Sequence, residues 1–149
     1  MAKQEPRDGW RGQMMIVSST AGRRGLPYFG AYSATKFAQL GLAEALRVEL
    51  RPQKIAVTSV HPIGTTTSFF KVAEELGGVR LPELSKWTYQ QSSEQVAIRM
   101  ARSIAQPVAE LWPADAARWG VGIGSMLPGV VDRVMEGARK QIEMLNKKQ

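Results

Sequence analysis

Residues 13 to 19, QMMIVSS, set four apolar side chains in a row with no polar alternation. That pattern predicts a short strand buried on both faces, as in a parallel sheet. The next eleven residues, TAGRRGLPYFG, hold three glycines and one proline and predict a loop. From about Ala31 to Leu50 the chain is rich in Ala, Leu and Glu, and Phe37, Leu40, Ala45 and Val48 recur at steps of three to five residues. This predicts a long helix, which Pro52 ends. The stretch KIAVTSVHP, 54 to 62, predicts a second buried strand, closed by proline and followed by the loop IGTTT. Strand, helix and strand in this order form a crossover unit, for which parallel pairing and right-handed connection are the rule.

Segment 68 to 91 is less regular, with a short helix expected near FFKVAEEL. SSEQVAIRMARSIAQ predicts a helix from Ser92, because Ser92 stands three residues before Gln95 in a capping box. PVAELWP predicts a third strand and a second crossover. Residues 114 to 145 predict two helices broken at LPG, 127 to 129. Trp112, Trp119, Met126, Leu127, Val130, Val131, Val134 and Met135 fall at roughly helical spacing, with Arg118, Arg133, Arg139 and Lys140 between them. Packing in a core or a substrate lid is the expectation for these apolar residues, and a helix lying on a membrane surface is the alternative.

A length of 149 residues suits one domain with a real core, and 44% hydrophobic with 22% charged residues is a globular balance. The chain has no cysteine, which removes disulfides, thiolate metal sites and cysteine nucleophiles, and fits a reducing compartment. Its one histidine, His61, allows no histidine metal cluster and reads as a structural residue at a strand end. The net charge of +7 would suit a nucleic acid if the cations were clustered. Arg11, Arg23, Arg24, Arg47, Arg51, Lys54, Arg99, Arg102, Lys147 and Lys148 are instead spread along the chain, so a solvated surface and no nucleic-acid partner are expected. No apolar run reaches the roughly 18 to 20 residues of a membrane span, and the opening MAKQEPRDGWRGQ lacks a signal-peptide core. A cytoplasmic, soluble protein without membrane contact is the expectation.

Candidate chemistry lies between the first strand and the long helix. Tyr32 and Lys36 are four residues apart and share a helix face. A phenol keeps its proton at neutral pH, and a nearby ammonium favours the phenolate, which suits such a pair to acid and base work. Ser19 stands at the carboxyl end of the preceding strand, where open parallel sheets place their ligands, with a hydroxyl able to polarise a carbonyl oxygen.

Ser19 after a buried strand, YSATK from Tyr32 to Lys36, the helix GLAEALRVEL and the loop HPIGTTT together resemble the short-chain dehydrogenase/reductase family over residues 13 to about 70. The resemblance implies an α/β fold, the C-terminal part of a Rossmann-like doubly wound parallel sheet, here followed by C-terminal helices. It implies a carbonyl and alcohol interconversion with NAD or NADP as cofactor and a small-molecule carbonyl or alcohol as substrate. Tyr32 would be the acid and base, Lys36 would assist it and bond the nicotinamide ribose, and Ser19 would hold the substrate oxygen. Pro62, Thr65 and Thr67 match positions that contact the nicotinamide half. The family's turn G-x-x-x-G-x-G is absent; GVGIGS at 120 to 125 lies in a helical context and reads as a packing feature. Where the family has glycine directly after the proline, this chain has Ile63, with Gly64 one place later. Residues 1 to 149 are therefore expected to form a partial domain, the catalytic half without the N-terminal cofactor-binding half, inactive alone and forming homo-oligomers. The alternative is a noncatalytic remnant or interaction subunit.

Overall fold

The computed structural model describes residues 1–66, 68, 71, 72, 75, 76 and 90–147, with only the backbone of Thr66 and Leu145. Its centre is a three-stranded parallel sheet in the order β1 (Gly12–Val17), β2 (Ile55–Val60), β5 (Glu110–Leu111). Parallel neighbours require crossovers. Helix α1 (Gly30–Glu49) joins β1 to β2, and α2 (Ser93–Ala105) lies between β2 and β5. The register runs from Gly12 opposite Ile55 to Val17 opposite Val60, and then sets Ser59 and Val60 opposite Glu110 and Leu111.

All six residues of β2 are buried. Its polar members are satisfied inside the sheet layer. Thr58 Oγ1 donates to the Val108 carbonyl at 2.6 Å and accepts from Gln13 Nε2 at 2.8 Å, as buried hydroxyls require. The first strand differs from its expectation. It is half-buried rather than buried on both faces, with Val17 exposed, because among the described residues only β2 pairs with it.

Helix α1 covers 30–49, close to its predicted span, but its buried face is set by Ser33, Leu40 and Ala43, while Phe37 and Val48 stay exposed. Small residues let the helix lie close to the sheet, so the buried face does not follow the largest apolar side chains. Helix α2 starts as predicted. Ser92 Oγ accepts from the Gln95 amide at 3.1 Å, and Gln95 Oε1 accepts from the Ser92 amide at 3.0 Å. A second, two-stranded parallel ladder, β3 (Thr65–Thr66) with β4 (Gln91–Ser92), was not anticipated. The short helix expected near residues 69 to 76 falls largely outside the described residues.

The chain ends in α3 (Asp115–Met126) and α4 (Pro128–Asn146), divided at Leu127 where LPG predicted a break. Pro128 tolerates the first turn of a helix because it has no amide to leave unpaired there. Gly124 lets α4 approach: a Cβ there would stand 2.9 Å from Val131 Cγ2. Core packing holds for Trp112, which is buried, and is corrected for Trp119, Met126, Leu127, Val130 and Val134, all of them exposed. Apolar side chains at helical spacing reveal a face and not what covers it. Among the described residues no helix is long and apolar enough to cross a membrane.

Candidate functional site

At the carboxyl end of β1 the chain turns sharply. Ser19 has extended backbone and caps a short 3-10 helix, Thr20–Gly22, by accepting from the Ala21 amide at 3.1 Å. Beside it, Ser18 is buried and donates its hydroxyl to the Lys36 carbonyl at 2.8 Å. Gly22 makes that contact possible, since a Cβ would stand 2.3 Å from Ser18 Oγ and 2.7 Å from the Lys36 oxygen. The second strand enters the same corner, where the Ser18 amide donates to the Val60 carbonyl at 2.9 Å and the Thr20 amide to the Pro62 carbonyl at 3.1 Å.

Tyr32 and Lys36 stand in the first two turns of α1, and Lys36 reaches this corner. Lys36 Nζ lies 5.6 Å from the centre of the Tyr32 ring and donates to the Val17 carbonyl at 3.2 Å, two residues before Ser19. Partial burial holds the Lys36 ammonium below its ordinary value, so it is readier to exchange a proton than a solvated lysine. Phe29 packs edge-on against Tyr32 with ring centres 6.2 Å apart. Thr65, at the start of β3, keeps a buried Oγ1 with no hydrogen bond among the described residues. Thr67 lies outside the described residues. The corner thus holds Lys36 against the end of β1 and 5.6 Å from the Tyr32 ring centre, with Thr20, the neighbour of Ser19, bonded to the Pro62 carbonyl and Thr65 three residues beyond Pro62.

Beneath it lies a polar layer that sequence reasoning missed. His61 is fully buried, stacks on Trp112 with ring centres 4.4 Å apart and planes at 14°, and shares a 3.0 Å hydrogen bond with Ser59 Oγ. Trp112 Nε1 donates to Glu110 at 2.9 Å. Arg23 pairs with the other Glu110 oxygen and lies 3.2 Å from Glu44 on α1. Burial pushes the Glu110 carboxyl up, but the Trp112 N–H and the Arg23 guanidinium outweigh it and leave the group below its ordinary value. Arg47 extends the layer by donating to the Ala109 carbonyl at 2.8 Å and the Val57 carbonyl at 3.2 Å. Arg23 and Glu110 are far apart in sequence, so no local signal links them.

Two outcomes follow. Gly22→Ala should lower unfolding free energy by about 1 to 3 kcal/mol, the usual cost of overpacking, read by urea titration; an unchanged midpoint would contradict the Ser18–Gly22–Lys36 contact. Burial holds His61 below its ordinary value, against smaller upward pulls from Glu110 and the Ser19 backbone. The unfolded chain therefore binds more protons than the folded one just below the ordinary histidine range, and stability must fall as pH drops there. Unfolding titrations between about pH 7.5 and about pH 5.5 should show that fall in the parent and its loss in His61→Phe; the same slope in both would contradict it.

Comparison with known proteins places this arrangement. Residues 3–76 match the family described as short chain dehydrogenase. Over 135 residues the chain is 32% identical to 3-ketodihydrosphingosine reductase of Bos taurus, covering 89% of this chain and 40% of that protein. Over 83 residues it is 43% identical to 3-dehydrosphinganine reductase of Danio rerio, covering 48% of this chain and 25% of that one. The chain thus spans less than half the length of these relatives. A short-chain dehydrogenase from Sphingobium yanoikuyae, solved in complex with NADPH, superposes with a TM-score of 0.59 at 23% identity over 80% of this chain and 45% of that one. One from Burkholderia cenocepacia, solved with NADP, gives 0.61 at 18% identity over 83% and 46%. At such identities the likeness is one of fold, a Rossmann-like parallel sheet flanked by helices. With the family match falling on the strand, loop and helix that build the corner around Ser19, Tyr32 and Lys36, the chain belongs to the short-chain dehydrogenase/reductase family of oxidoreductases.

Proposed function

We propose that this chain is the catalytic half of an NAD(P)-dependent reductase that interconverts a carbonyl and an alcohol, with Tyr32 as the acid and base. The observation that carries the reading is the meeting of Lys36 Nζ with both the Tyr32 ring and the end of the strand that bears Ser19. The relatives named as 3-ketodihydrosphingosine reductases favour a long-chain 2-amino-3-ketone as the substrate.

Each residue has a role that its surroundings support. Ser19 Oγ accepts from the Ala21 amide, which leaves its own proton to donate to a carbonyl oxygen. The Tyr32 hydroxyl delivers a proton to that same oxygen during reduction and takes it back during oxidation. The Lys36 ammonium, 5.6 Å from the Tyr32 ring centre, sets a positive charge beside the phenol during that transfer. The residues fit the nicotinamide half of the cofactor: Thr65 offers a buried hydroxyl without a partner among the described residues, Lys36 an ammonium, and the Pro62 segment a fixed backbone. Thr67 extends that set by its place in the motif. When bound, the nicotinamide supplies or takes up the hydride. The chain offers no glycine-rich turn for the pyrophosphate, since GVGIGS is part of α3 and its Gly124 is filled by the approach of Val131. That half of the site falls to a complementary N-terminal segment, without which we infer the chain is inactive.

In the complete oxidoreductase that carries this chain, Tyr32→Phe should lower kcat by at least about a hundredfold, the scale of general acid and base catalysis, with cofactor affinity nearly intact. Lys36→Ala should weaken both. Steady-state kinetics with NADPH and a 3-keto sphingoid base check this, and Tyr32→Phe activity within about threefold of the parent would overturn the assignment.

A further inference from the structure

Ser19 presents its hydroxyl from a turn, and a turn holds a reacting group in place only when something outside it fixes its position. Two sets of contacts fix this one, and both lead to Glu110. On one side the turn Thr20–Gly22 passes directly into Arg23, whose amide donates to the Thr20 carbonyl at 3.0 Å and whose guanidinium pairs with Glu110 Oε1. On the other side Trp112 Nε1 donates to Glu110 Oε2 at 2.9 Å, and the Trp112 ring packs face to face on His61. His61 Nδ1 is buried and makes no hydrogen bond among the described residues, while the Ser19 backbone is close enough to pull its proton affinity upward. The carbonyl of the next residue, Pro62, accepts from the Thr20 amide at 3.1 Å.

The contacts close a ring that runs from the Ser19 turn through Arg23, Glu110, Trp112, His61 and Pro62 back to Thr20. Glu110 joins the two halves, one carboxylate oxygen to each. An ionised carboxylate suits that place because it only accepts, and its two oxygens can take a guanidinium and an indole N–H together. Arg23 has a second partner, Glu44 Oε1 at 3.2 Å, but Glu44 is half-exposed and belongs to α1, so it holds Arg23 to the helix and not to the strands. Strand β5 is only two residues long, Glu110–Leu111, so its ladder alone grips the sheet briefly. The side chain of Glu110 carries that grip onward to the turn.

We propose that Glu110 is a positioning residue for the reaction, holding the Ser19 turn in a fixed relation to the Pro62 segment so that the substrate oxygen and the nicotinamide meet. The inference rests on the reading of Ser19 as the group that holds the substrate oxygen. Glu110 touches neither substrate nor cofactor and acts through Ser19. Glutamine at this position separates the two arms of the ring: its amide oxygen still accepts from Trp112, while its NH2 faces Arg23 and has nothing to offer a guanidinium. The loss therefore falls on the Ser19 side and leaves the Pro62 side, where the cofactor would lie, in place.

Steady-state kinetics and NADPH titration of the complete oxidoreductase that carries this chain, with a 3-keto sphingoid base, test the role. Glu110→Gln should lower kcat about tenfold, the scale of a modest misplacement of a reacting group, with the NADPH dissociation constant within about twofold of the parent. Arg23→Met should do the same from the other end of the pair, and it carries the test if Glu110→Gln does not fold. Arg23→Lys, which keeps a cation but loses the fork, should return kcat to within about threefold of the parent. The decisive comparison is made in a Ser19→Ala background, where Glu110→Gln should cost less than about a further twofold, because the hydroxyl it positions is gone. An equal loss in both backgrounds would overturn the proposal, as the mark of a general structural effect, and so would a parent-like kcat in both Glu110→Gln and Arg23→Met. A Ser19→Ala enzyme as active as the parent would remove the role of Ser19 and this proposal with it, whereas Tyr32→Phe judges the acid and base reading separately.

Discussion

The architecture of the site depends on one close approach, the Ser18 hydroxyl donating to the Lys36 carbonyl across the space that Gly22 leaves open. Strand β1 would otherwise end near helix α1 without a fixed relation to it. The bond ties a buried serine at the strand end to a carbonyl in the second turn of the helix, and glycine is the residue that lets the intervening turn lie flat against both. The three candidate residues hang from these two anchors. Ser19 follows Ser18 directly, Lys36 bears the bonded carbonyl, and Tyr32 is one turn earlier.

The polar layer under that corner explains how a loop with two arginines stays ordered. Arg23 in the loop is held by Glu110 from β5 and by Glu44 from α1, so the loop is fixed to the sheet and the helix together. Partly buried charges of this kind contribute little net stability, because desolvation offsets their attraction. Their effect is positional: the carboxylate of Glu110 is also engaged by Trp112, whose ring packs face to face on His61, and His61 immediately precedes Pro62. The three strands thus fix the floor of the site through side chains as well as through their ladder.

What could be read from the sequence was what is local. Tyr32 and Lys36 share a helix face because they are four residues apart, and the Ser92–Gln95 capping box closed as its spacing required. The break at LPG depended on proline alone. Features that depend on distant partners were not legible. The burial of α1 through Ser33 and Ala43 follows from the closeness of the sheet, which apolar counting does not register. The Arg23–Glu110 pair joins residues 87 apart in the chain. The exposure of Trp119 and Met126 was hidden for a further reason, since an amphipathic helix has the same pattern whether its apolar face is packed or open.

The most direct test of the central claim, that the corner between β1, α1 and β2 is half of a nicotinamide site, is an amide chemical-shift titration of the labelled chain with NADPH. The account predicts weak binding, in the millimolar range, with the largest shifts at Ser19, Tyr32, Lys36 and Thr65 and none at Trp119. Shifts confined elsewhere, for example to the groove lined by Arg7, Trp10 and Arg11 at the opposite end of the strands, or no shifts at saturating nucleotide, would contradict it.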